Sequence, residues 1–325
     1  MTNIELEPLI PKPRLKQLDA LRFFAISVII LSHFEFLKDS RIGVLYTEHL
    51  HNPTWGVDYF FMLSGFGLFY STYHRQMSYT FKDSINFAIN KIRKIYPIYV
   101  FSLLIGVIYS LCFTGQPIRN LSIKFLCSLS LIQSAFGMMR FSHMINGVCW
   151  FLSTLFIIYI FAPKLLCMVN KLSSLRAIVY ALITSIVLIL VFSIAALFIE
   201  KNVTFHENQI FDDLFYGSPY IRFLYVFIGM LCARLMQELK EAVANKELSA
   251  VEIISVMLAI CYFFMRNCIP LHVVILRFFD ILTASSMLLI FSIKQGKISR
   301  WLDNCKTIQK YGGGMECTCT CSIIR

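Results

Sequence analysis

The stretch LDALRFFAISVIILSHF occupies residues 18–34. From residue 21 to 37 the chain is mostly apolar, and about 17–25 such residues suffice for a helix to cross a bilayer. No polar stripe recurs with helical period, as it would on a helix with one face in water. Inside the block stand Arg22 and His33, ionisable groups that are costly at membrane depth and therefore mark function. They are 11 positions apart, about three helical turns and roughly 16 Å of rise, so they share nearly one face.

Eight further apolar blocks follow, at about 55–71, 95–113, 121–136, 148–169, 176–199, 219–236, 249–265 and 271–293. Of the 325 residues 57% are hydrophobic and 15% charged, whereas soluble domains carry about 25% charged residues. The chain is thus expected to be an all-α polytopic membrane helix bundle with eight or nine hydrophobic segments. No small-residue cleavage site follows the first block, which reads as an uncleaved signal anchor. No repeat or linker divides the chain, so 1–310 is expected to form one membrane domain, followed by an atypical tail at 311–325.

The formal charge of +11 would suggest nucleic-acid binding in a soluble protein. Here the cations lie between apolar blocks, where they orient the chain and meet anionic headgroups; the bilayer is the expected partner and nucleic acid is not. Basic loops occur at the N-terminus and at 72–94, 164–176, 234–248 and 294–310, while 200–218 is acidic. If all nine blocks span, three of the basic regions fall outside. If block 121–136, which holds Lys124, is re-entrant or interfacial, all five fall inside with the N-terminus. The second arrangement satisfies the positive-inside rule and is preferred. Residues 81–95 alternate Phe81, Ile85, Ala88, Ile89, Ile92 and Ile95 with Lys82, Lys91, Arg93 and Lys94, the pattern of an interfacial amphipathic helix. The 11 cysteines show no disulfide framework, and many lie in apolar blocks as small hydrophobes.

With the N-terminus inside, Arg22 sits at the cytoplasmic end of the first span and His33 near the outer end. The second block opens GVDYFFMLSGF at 56–66 and runs inward, so Asp58 enters near the outer surface. A carboxylate beside an imidazole fixes its tautomer and raises its basicity, as a general base for a hydroxyl requires. Taken singly, plainer readings stand: Arg22 snorkels to headgroups, His33 is a hydrogen-bonded core residue, Asp58 is an acidic residue in a first turn, and Ser64 and Gly65 allow close helix packing.

These residues together resemble the membrane acyltransferase-3 family, which includes O-antigen and exopolysaccharide O-acetyltransferases. The motifs are LDALRFFAISVIILSHF with its Arg22-to-His33 spacing, GVDYFFMLSGF, KIRKIYPIY at 91–99 and, more weakly, WFLSTLFIIYIFAP at 150–163. The resemblance implies transfer of an acyl group, usually acetyl from acetyl-CoA, to a carbohydrate hydroxyl across the cell inner membrane, with no metal. It implies His33 as the catalytic residue supported by Asp58, and Arg22, Lys91, Arg93 and Lys94 as donor-binding residues; cations suit the phosphates of CoA. The chain departs from the family in carrying Lys91 and Lys94 where paired arginines are usual, and Val148 and Cys149 where a polar residue often precedes the tryptophan.

The end, YGGGMECTCTCSIIR at 311–325, departs further. Cys317, Cys319 and Cys321 lack the flanking histidine or second pair of a metal site. Back-translation of MECTCTCSIIR with permitted codons gives GMYLYMFHH in another frame, resembling the opening of a further family span, so the C-terminus reads as a frameshifted truncation. Two other functions remain open at this point. One is a carbohydrate or small-acid transporter, which inverted repeats with broken helices would favour; the other is an inactive remnant of the acyltransferase.

Overall fold

The computed structural model describes residues 14–47, 53–73, 80–114, 117–147, 149–202, 215, 217–266 and 273–305, and among them every regular element is a helix. The tail 311–325, Val148, Arg75 and the acidic residues Glu207, Asp212 and Asp213 lie outside these residues.

The helices are α1 (Lys16–Ser32), α2 (Pro53–Thr72), α3 (Phe81–Ile92), α4 (Tyr96–Tyr109, continued by a wider turn at Ser110–Thr114), α5 (Ile118–Leu129), α6 (Trp150–Asn170), α7 (Leu175–Asn202), α8 (Pro219–Ala242), α9 (Ser249–Met265), α10 (Val273–Ile293) and α11 (Lys297–Asn304). Short helical turns fill the connections. Five of these segments, in α4, α6, α7, α8 and α10, are long and apolar enough to cross a membrane, and α9 is a shorter apolar helix. Helix α1 starts earlier than hydropathy suggests because its polar first turns are paired: Asp19 is bonded by Arg14 and Arg22, and Gln17 donates to the Phe291 carbonyl. The chain leaves the helix at His33, whose backbone closes the last turn.

The fourth block does not span. Helix α5 has 12 residues, about 18 Å of rise against a hydrocarbon core of about 30 Å. Its last turn is held beside the start of α4, where the Tyr96 and Tyr99 hydroxyls donate to the Leu129 and Ser128 carbonyls at 2.8 and 2.6 Å. The return segment is fastened to both neighbours. Gln133 donates to the Tyr99 hydroxyl, Ser134 to the Trp150 carbonyl, Ser153 to the Leu131 carbonyl and Asn146 to Ser102.

Re-entry sets the direction of everything after it. Phe151, at the start of α6, packs on Phe61 in α2. At the other end Arg234 lies over the Tyr73 ring and donates to the Leu172 carbonyl. Helices α2, α6 and α8 therefore run parallel, and the loops after each lie at one end of the bundle. The loops before α9 and after α10 join there through Leu248 N–H to the Gln295 carbonyl and Arg300 to Glu247. The five basic regions can thus share one membrane face, as the positive-inside rule demands.

The centre is the crossing of α2 and α8. Gly65 stands so close that a Cβ would lie 1.8 Å from the Val226 carbonyl oxygen, and a Cβ on Gly229 would lie equally close to that of Met62. Apolar burial drives little association between helices already in lipid, so close backbone packing at small residues takes over. Outside the crossing, α3 packs along α6 through Ala88 and Ile92. Its Thr80 caps the first turn by accepting from Asp83 N–H, and Phe81 stays exposed.

Candidate functional site

Arg22 is 2% exposed. Its Nη1 donates to Asp19 Oδ1 at 2.9 Å, and Arg14 reaches the other carboxylate oxygen. Its Nε is buried with no hydrogen-bond partner. This guanidinium lines a slot between α1 and α2 formed by Leu15, Leu18, Asp19, Leu63, Phe66, Gly67 and Tyr70. The spacing on each helix is that of one face, so two antiparallel apolar stripes enclose one carboxylate and one guanidinium.

His33 is at the other end of α1 and is exposed. Its Nδ1 lies 2.7 Å from the Ile29 carbonyl oxygen and 3.5 Å from Ser32 Oγ. A carbonyl can only accept, so Nδ1 carries the proton and Nε2 of the neutral ring presents its lone pair. Arg22 and His33 thus lie at opposite ends of one helix, the cation buried and the imidazole exposed.

Asp58 does not meet His33. It is fully buried and salt-bridged to Arg222 of α8, with Arg277 of α10 at 3.5 Å. Its level explains why. Gly56 packs against Ala25 and Ile29, and Asp58 lies further in along α2, roughly 10 Å below His33 at 1.5 Å per residue. The tautomer-fixing role expected of Asp58 falls to the Ile29 carbonyl, and Asp58 instead neutralises two buried guanidiniums.

The basic cluster divides. Lys91 is buried, with its ammonium 5.3 Å from the Phe87 ring centre. Arg93 and Lys94 are exposed in the turn between α3 and α4. Two of the cluster's three cations are thus exposed, and the third is packed within the helices.

Sequence reading missed most of the buried polar network. Arg222, Arg277 and Asp280 lie within apolar blocks, and Arg266 directly follows one. Asp280 is bonded by Arg266 Nη2 at 3.1 Å and by the Tyr262 hydroxyl at 2.7 Å, and Arg266 also reaches Thr54. Trp55 donates to Thr283 at 3.0 Å. The usable signal was Arg277 and Asp280 three residues apart in a block otherwise apolar. His143 also went unnoticed. It stacks on Trp150, and Ser142 lies 2.9 Å from its Nδ1. Among the described residues no group of three His, Cys, Asp or Glu side chains is placed to hold a metal ion.

A membrane helix bundle with a buried guanidinium at one end of its opening helix and an exposed imidazole at the other defines a class: a polytopic membrane protein carrying polar chemistry at two depths. The family model described as an acyltransferase domain matches residues 15–314, a range that takes in every described helix. The chain belongs to that family and is a membrane acyltransferase. No curated protein and no solved structure matches it.

Proposed function

We propose that the protein transfers an acetyl group from acetyl-CoA to a hydroxyl of a surface polysaccharide or glycolipid sugar, working from the inner membrane of the cell. The observation that carries this reading is the geometry of α1, with buried Arg22 beside a slot at one end and, at the other, exposed His33 with its Nδ1 held on the Ile29 carbonyl. The family selects an acyltransferase over a transporter.

In this reading the exposed Arg93 and Lys94 meet the phosphates of the donor at the cytoplasmic face, and Arg22 lies on the path of its thioester arm. His33 Nε2 accepts the proton of the sugar hydroxyl, and the oxygen attacks the acyl carbon as the C–S bond breaks. The CoA thiolate leaves and takes up a proton. Because Ile29 holds Nδ1, the ring enters in the tautomer a base needs.

The test is the ester content of surface glycan, read by NMR, in cells expressing wild type or His33→Gln. Loss of general-base catalysis costs about 10²–10⁴-fold in rate, so the O-acetyl signals of wild type should vanish. Retention of those signals in the variant removes His33 from the mechanism. Absence of acetate with wild type itself selects the inactive remnant.

A further inference from the structure

Helix α11 starts at Lys297, three residues after α10 ends at Ile293. The backbone steps between them reach at most about 14 Å, so α11 stays close to where a membrane-spanning helix ends. It packs against α1 and α9, with Ser299 and Leu302 buried and Ile298 half-buried. Gln17 of α1 bonds to the Phe291 carbonyl at the close of α10, which places α11 at the Arg22 end of α1. The first turn of α11 is capped from α9. Ser249 Oγ accepts from Lys297 N–H at 2.9 Å, and Glu252 Oε2 accepts from the N–H groups of Ile298 and Ser299 at 2.9 and 3.1 Å. Gly296 makes room for that carboxylate, since a Cβ there would lie 2.0 Å from its carboxyl carbon. The helix is thereby fixed in rotation as well as in place.

The face turned away from the bundle carries Lys297, Arg300, Trp301 and Asn304, all exposed, in one stripe at helical spacing. Trp301 is 60% exposed, whereas the other two tryptophans, Trp55 and Trp150, are buried. Arg300 is committed to Glu247, and Lys294 to Asp303. The Lys297 ammonium has no hydrogen-bond or ion-pair partner among the described residues. It also stands in the first turn, where a positive charge opposes the helix dipole. Lys297 therefore does nothing for the helix that bears it.

An indole and an unpaired ammonium on one stripe, next to the end of a span, match the chemistry of a lipid headgroup. Tryptophan favours the boundary between headgroups and chains, and lysine near the surface is drawn to anionic lipid. We infer that α11 is a headgroup-binding helix, with Lys297 on the phosphate of an anionic lipid and Trp301 beside it at the top of the acyl chains. The lipid would brace the end of α1 that carries Arg22. A nucleotide also joins phosphates to a ring that stacks on indole, and the experiment separates the two.

The purified full chain is placed in nanodiscs carrying brominated phosphatidylglycerol or brominated phosphatidylcholine at equal mole fraction. The fluorescence lost in Trp301→Phe isolates the Trp301 signal. Bromine near the glycerol end of the chains should quench it, and phosphatidylglycerol should do so more effectively than phosphatidylcholine. One cation near an anionic surface contributes about fivefold in affinity, so Lys297→Gln should reduce the preference by about that factor. Arg300→Gln, whose charge Glu247 already offsets, should leave most of it. Equal quenching by the two lipids, or a preference that survives Lys297→Gln, overturns the inference. Quenching by aqueous iodide with none by bromolipid puts the stripe in water and overturns it too. Quenching by added CoA that displaces the bromolipid effect assigns the stripe to a nucleotide instead. Thermal unfolding is the last check: Lys297→Gln removes a charge that opposes the helix dipole, so its midpoint should equal or exceed that of wild type. A lower midpoint would show that Lys297 holds α11 in place, and the lipid role would fall.

Discussion

Asp58 is surrounded by positive charge. Arg222 and Arg277 converge on its two oxygens from different helices, and all three side chains are nearly or wholly inaccessible. Removing one partner of a buried ion pair leaves an uncompensated charge, at a cost of about 3–5 kcal/mol. Asp58→Asn should therefore lower the thermal unfolding midpoint in detergent by several degrees and reduce the yield of folded protein. Had Asp58 served only to orient His33, the variant would unfold with wild type and lose activity alone. His33, in turn, owes its tautomer to a carbonyl one turn back in its own helix, a bond that no change at Asp58 disturbs. The family motif containing Asp58 was legible, but its partner was not, because the two bonds close over 164 and 219 residues of chain.

At the scale of the helix, the crossing of α2 and α8 depends on Gly65 and Gly229 lying against each other's backbone. A Cβ at either position would come within 1.8 Å of a carbonyl oxygen, and backbone cannot rotate away as a side-chain tip can. Overpacking of a fitted interface costs about 1–3 kcal/mol or more. Gly65→Leu should separate the two helices, seen as accelerated proteolysis and loss of the monodisperse peak in size-exclusion chromatography. A Leu at Gly147, whose surroundings are open apart from His143, should be tolerated in the same assays. The small residues of GVDYFFMLSGF were readable as packing sites. Which helix they face was not, since several blocks offer glycine or alanine at suitable spacing.

For the whole molecule, the arrangement turns on one short helix. Because α5 returns to the base of α4 without crossing, α6 runs parallel to α2, and every basic loop falls on one side. Single cysteines placed at Lys171 and Lys246 should react with an impermeant maleimide only after the cytoplasmic face is opened, in a background cleared of native cysteines. Labelling of Lys171→Cys in sealed, right-side-out cells would reverse every helix from α6 onward.

Composition and block length settled the membrane class and the number of apolar segments, since burying polar backbone in lipid leaves a chain few options besides helices. Charge bias between blocks favours the re-entrant topology by itself, because cations cross the membrane reluctantly. The depth of Arg22 and His33 also follows from the chain alone, as rise per residue is constant in a helix. What lay beyond reach was rotation and neighbourhood. The pairing of Asp58 with Arg222 and Arg277, the burial of Lys91 and the slot beside Arg22 each depend on which helices meet and at what level. Hydrophobicity is the same on every lipid-facing side, so linear periodicity does not encode those choices; they follow from close packing at glycines and from neutralising charge where water is absent.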